Sequence, residues 1–136
     1  MTPRDCIWRC ALAVLVCSLS LTACESRQDL LDRQHKALTS LRSTVTSVCQ
    51  AWLDGNVSTT YARTALEASA VLLDKEHTKI TKSPDAVADP AVASVSDAEQ
   101  QLAHQIALLR QALAESNADA VRQLTSTIES GGGGVP

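Results

Sequence analysis

"LDRQHKALTSLRSTVTSVCQAW", Leu31 to Trp52, decides the fold class. Its apolar residues Leu31, Leu38, Leu41, Val45, Val48 and Trp52 follow one another at intervals of 7, 3, 4, 3 and 4. An α-helix turns once in about 3.6 residues, so alternating steps of three and four keep one stripe on one side. A strand would need steps of two. Gln34 fills the one polar gap, and Asp32, Arg33, Lys36 and Arg42 fall off the stripe. The spacing predicts a helix from about Ser26 to Leu53. Asp54-Gly55-Asn56 ends it, because Gly and Asn tolerate the left-handed residue that follows a helix.

A second helix is predicted over about Thr59 to Lys79, with Ser58 as N-cap. Its apolar positions are Tyr61, Ala62, Ala65, Leu66, Ala68, Ala70, Leu72, Leu73 and Ile80, a broad face of mostly small side chains. The short turn makes the first two helices an antiparallel hairpin. "TKSPDAVADPAVASVSD", Thr81 to Asp97, is the one long connection, since Pro84 and Pro90 stop a helix from running through it. Asp89-Pro90 reads as an N-cap with proline at the first helical position, and Ser96 to Glu99 reads as a capping box. The balance favours a short turn near Pro90 and a main third helix from Asp97. The seam of that helix is Leu102, Ile106, Leu109 and Leu113. A later stripe of Val121, Leu124 and Ile128 is offset from it, and Ser116-Asn117 marks a kink or a fresh cap. The expected architecture is all-α, an antiparallel three-helix bundle over residues 26–130 with its last helix open to a break into a fourth. Residues 131–136, "GGGGVP", read as a flexible tail.

Upstream, Arg4 and Arg9 flank a start that leads into "ALAVLVCSLSL", Ala11 to Leu21, without a charge. As a helix this run is roughly 16 Å long, against a bilayer core of about 30 Å. A basic start, a short apolar run and small residues before a cut describe a secretory signal peptide over residues 1–23. "LTAC", Leu21-Thr22-Ala23-Cys24, resembles the lipobox of bacterial lipoproteins: an aliphatic residue, two small ones and a cysteine. The resemblance implies a diacylglyceryl thioether on Cys24, cleavage before it and a lipidated N-terminus at residues 24–25. Leu21, Thr22 and Ala23 would be the residues that the peptidase reads. Glu25 is not the Asp that marks inner-membrane retention in that class, so the resemblance points to the outer membrane, facing the periplasm.

The remaining chemistry is sparse. Removing residues 1–23 takes two arginines and one aspartate, so the net charge goes from −3 to −4. That balance excludes a basic stripe for nucleic acid and any electrostatic hold on anionic lipid. Cys6, Cys10 and Cys17 leave with the signal peptide and Cys24 is acylated. Cys49 is left as the one thiol, either a buried apolar group or a link between chains. No nucleophile-base pair, glycine cradle or H-E-x-x-H stands in the sequence, so no enzyme and no cofactor beyond the lipid are expected. His35 and His77 fall at similar heights on the hairpin and are the weak metal candidates, while His104 is rotated off its seam. In "STTYARTALEA", Ser58 to Ala68, Tyr61 and Arg63 mark a candidate interaction face against the plainer reading of a packing face.

The leading expectation is a lipid-anchored adaptor or envelope assembly factor with a protein partner. One alternative is a self-associating structural lipoprotein, paired along the first helix and locked by Cys49. The other is a small-ligand or metal binder near His35 and His77.

Overall fold

In the computed structural model the backbone is described for residues 3–82 and 89–131, and side chains within those stretches from residue 28 onward. Leu21, Thr22, Ala23 and Cys24 are helical in backbone, but their side chains lie outside the described residues, as do residues 83–88 and 132–136. Four helices follow in order: α1 Pro3–Leu53, α2 Thr59–Thr81, α3 Pro90–Ala114 and α4 Ala118–Gly131. Residues 1–33 and 34–136 are separate compact units. The account below concerns the second unit.

Three helices carry the same seam. Gln34, Leu38, Leu41, Val45 and Cys49 of α1 are buried, as are Ala62, Leu66, Ser69, Leu73 and Ile80 of α2, and Val95, Glu99, Leu102, Ile106, Leu109 and Leu113 of α3. Steps of four and three bring each set to one side, and α4 adds Val121, Thr125 and Ile128. Most of these aliphatic groups join one core. Helix directions follow from the cross-links. Gln34 on α1 bonds Glu76 on α2, while Trp52 Nε1 donates to Thr59 Oγ1 at 3.0 Å, so α1 and α2 are antiparallel. His77 meets Glu99, and Arg110 meets Glu67 at 3.3 Å, so α2 and α3 are antiparallel too. The chain therefore runs up and down through a helical bundle.

Four expectations are corrected. α3 starts at Pro90, not Asp97: Asp89 caps it by accepting from the Ala91 N–H at 2.9 Å, and proline fits the first turn, where its missing N–H costs nothing. Ser96 to Glu99 is therefore mid-helix, and Glu99 turns inward instead of capping. α1 begins at Pro3, not Ser26, because no Gly or Pro interrupts residues 4–53. On α2, Tyr61, Ala68 and Leu72 face outward and Ser69 takes the seam, its hydroxyl bonding the Ala65 carbonyl at 3.0 Å.

Both tight turns use one device. After α1, the N–H of Asn56 reaches the Ala51 carbonyl at 2.8 Å and that of Gly55 reaches Trp52 at 3.0 Å. After α3, Asn117 reaches Ala112 at 2.9 Å and Ser116 reaches Leu113 at 3.2 Å. These are Schellman caps, whose pivot residue must be left-handed. Gly55 has φ 75° and Ser116 has φ 52°. Asn117 then caps α4 through its Oδ1, which accepts from the Ala120 N–H at 3.1 Å. The break near Asn117 is thus a full reversal into a fourth helix. A side chain in the left-handed region costs about 1 kcal/mol. Ser116→Gly is expected to stabilise the fold by up to that amount and Gly55→Ala to destabilise it by about as much. Urea midpoints of the two variants check the pair, and shifts of the same sign would refute the account.

Candidate functional site

The least ordinary place in the core is a polar layer across α1, α2 and α3. Gln34 and Glu99 occupy seam positions that mostly hold aliphatic residues elsewhere, and they are only 3% and 2% exposed. Gln34 Nε2 donates to Glu76 Oε2 at 3.1 Å, and Lys79 Nζ holds the other Glu76 oxygen at 2.6 Å. Beside Glu76, His77 Nδ1 lies 3.0 Å from Glu99 Oε2. Gln34 Oε1 is buried and finds no hydrogen-bond partner, which is costly for an amide oxygen. Burial pushes the Glu99 carboxyl above the ordinary carboxylate range. The hydrogen bond and charge of His77 oppose the shift, and the charge of Glu76 adds to it.

The layer opens outward through a cavity of about 120 Å³ between α2 and α3. Ala70, Leu73 and Ala103 give it apolar walls, and Asp74, His77, Glu99 and Gln100 give it polar groups. A larger groove, about 390 Å³, runs between α3 and α4. It is lined by residues that include Leu108, Gln111, Leu124 and Thr127.

The residues singled out in the sequence scatter. His77 is in the layer, but its partner is a carboxylate, while His35 and His104 are exposed. Among the described residues no three His, Cys, Asp or Glu side chains gather to hold a metal. Cys49 is fully buried, and burial pushes its thiol up to about 11 against a partly offsetting hydrogen bond with Thr125. A thiol in that state cannot reach another chain, and the α1 stripe from Gln34 to Cys49 is used inside the bundle. The stripe that was the expected surface for chain pairing, and Cys49 with it, lie in the core of the bundle.

Tyr61 is 58% exposed and Arg63 is exposed, while Ala62 and Leu66 of the same segment are buried in the core, so the segment has a packing side and a solvent side. The same helix exposes Ala68 and leaves Val71 and Leu72 each 51% open to water. Among the described residues no helix is long and apolar enough to cross a membrane.

Glu99 was missed as a site residue because an acid three places after Ser96 also fits a helix start. Gln34 was seen only as a gap. The signal that finds both is their phase: each lies one seam step from an aliphatic neighbour, Leu38 or Leu102. No family model, no curated protein and no solved structure matches this chain.

Proposed function

We propose that the chain is a membrane-anchored lipoprotein, cut before Cys24 and acylated there, whose bundle acts by contact with another protein of the cell envelope. The observation that carries the anchor is "LTAC" directly after an uncharged apolar run. Two or more acyl chains hold a protein to a bilayer firmly, where one alone is marginal. Glu25 in place of Asp favours the outer membrane, facing the periplasm.

The contact role is supported by what the bundle leaves open. Most of its aliphatic groups are spent in the core, whereas α2 offers Tyr61, Ala68, Val71 and Leu72 to solvent. Exposed apolar residues gathered on one helix are a usual mark of a contact surface.

A tagged full chain taken from gently solubilised native membranes tests this reading, with wild type and Leu72→Glu compared side by side. The expected result is one envelope protein held in stoichiometric amount by the wild type and released at least tenfold by Leu72→Glu, about 1.4 kcal/mol of binding. The substituted residue is half exposed, so thermal stability should hold. Retention of the same partner by both forms would remove α2 as the contact surface.

A further inference from the structure

The polar layer sits where the bundle is thinnest. Glu115 and Ala120 belong to one end of the α3/α4 groove, Leu108 and Thr127 to the other. In that antiparallel register α4, which ends at Gly131, has run out before Glu99 is reached. Among the described residues α1, α2 and α3 close the core at the level of the layer, and they do so through Gln34, Glu76, His77 and Glu99 beside aliphatic neighbours such as Leu73.

We propose that this layer is a proton-operated latch. It holds the three-helix half of the bundle closed while the His77–Glu99 pair carries a proton, and lets that half loosen once the pair has released the proton to solvent.

The argument is one of charge balance in a place that water barely reaches. With one proton on the pair, either as imidazolium and carboxylate or as imidazole and carboxylic acid, the pair is neutral overall and hydrogen-bonded. Without it, Glu99 keeps a full negative charge at 2% exposure. A neutral ring can still donate a hydrogen bond but cannot balance that charge. Among the described residues no other group repairs the loss. From α2, Glu76 adds a second negative charge, its nearby cation Lys79 is already engaged, and Asp74 lines the same cavity as Glu99. From α1, Gln34 brings no charge, and its neighbours His35 and Lys36 are exposed. α3 itself adds only the Gln100 amide.

The direction of the pH effect follows from linkage. Glu99 holds its proton more tightly in the folded bundle than in an unfolded chain. Its contribution to stability is therefore complete below the ordinary carboxylate range and is lost as pH rises through the raised value. Loosening would uncover Leu73, Ile80, Val95 and Leu102, all nearly inaccessible in the closed form. The half built on Leu109, Leu113, Val121 and Ile128 has no such group in its seam and serves as an internal control. The latch does not depend on the anchor or on a partner, so it can fail while the proposed function stands, and the reverse.

Amide hydrogen exchange on the full chain in detergent, corrected for the intrinsic effect of pH on exchange, tests it. As pH is taken from below the ordinary carboxylate range up through the raised value of Glu99, protection across residues 73–80 and 95–102 should fall by roughly tenfold, while residues 109–113 and 121–128 keep theirs. Glu99→Gln, neutral at every pH, should abolish the regional loss, and Glu99→Met serves the same purpose if the glutamine form does not fold. An even loss in both halves, no loss in the wild type, or a regional loss that persists in the substituted chain would each overturn the latch.

Discussion

Leu109→Ala is expected to destabilise the bundle by about 2–5 kcal/mol, whereas Leu108→Ala, one residue earlier, should cost less than about 1 kcal/mol. The side chains are chemically identical and share a helix, so propensity cannot separate them. Burial does: Leu109 is 0% exposed and Leu108 is 37% exposed. Leu109 lies on α3, which packs against both α2 and α4, so its removal leaves a hole in the middle of the core. The aliphatic neighbours there are held by three backbones and cannot collapse far into the space, which is what drives the cost upward. For a domain near 100 residues each kcal/mol moves the melting temperature by roughly 4–8 °C. The pair of variants should therefore differ by at least about 4 °C in a thermal melt followed by circular dichroism. Equal melts for the two would mean that the seam phase of α3 is wrong, and with it the placement of Glu99 ten residues upstream.

That comparison also marks what the sequence could say. The α1 and α3 seams were legible because leucines and valines stand among polar residues, which gives hydrophobicity a direction. α2 was harder. Alanine and leucine lie all round it, so composition alone leaves its rotation undetermined, and the phase comes from where α1 and α3 dock. Hence Tyr61, Ala68 and Leu72 were grouped with the core and Ser69 was not, although Ser69 can silence its hydroxyl on its own helix. Gly55 announced its left-handed turn because glycine is the usual residue there. Ser116 reaches the same conformation at a cost, so local preference could offer a break near Asn117 only as one option beside a continuous helix.

The polar layer was illegible for a different reason. A pattern rule places polar residues outside, and an exception becomes visible only when its partner is seen. Gln34 and Glu76 are 42 residues apart, and His77 and Glu99 are 22 apart. Neither separation is a motif. What binds them is the register of three helices, a tertiary fact that no local window contains. Cys49 follows the same logic: a thiol beside Val48 could face in or out, and the neighbouring Thr125 comes from the last helix. The proposed lipobox, Leu21 to Cys24, lies at the opposite extreme. Its chemistry is read by an enzyme from four consecutive residues, so the fold adds nothing to it.

Cys24→Ser should therefore remove the anchor altogether while leaving the bundle intact. A serine hydroxyl at that site lacks the nucleophilic thiolate that accepts the diacylglyceryl group. On the lipoprotein reading, the peptidase that cuts before Cys24 acts on the lipidated form, so the variant should keep residues 1–23. Intact mass then distinguishes the two chains: the wild type loses 23 residues and gains lipid, and the variant does neither. Membrane fractionation gives the second readout. Each buried methylene contributes about 0.8 kcal/mol, so two or more acyl chains resist salt and alkaline washing. The uncut variant has only Ala11 to Leu21 as an apolar run, roughly 16 Å of helix against about 30 Å of hydrocarbon. The processed chain would carry a net charge of −4, so attraction to anionic lipid cannot replace the lost lipid. The washed variant is expected in the soluble fraction and the wild type in the pellet. A wild-type chain of full length without lipid would sink the lipoprotein reading whatever the bundle does. A lipidated wild type with a released variant would fix Cys24 as the sole point of attachment, which leaves the α2 face and the rest of the bundle free to meet a partner.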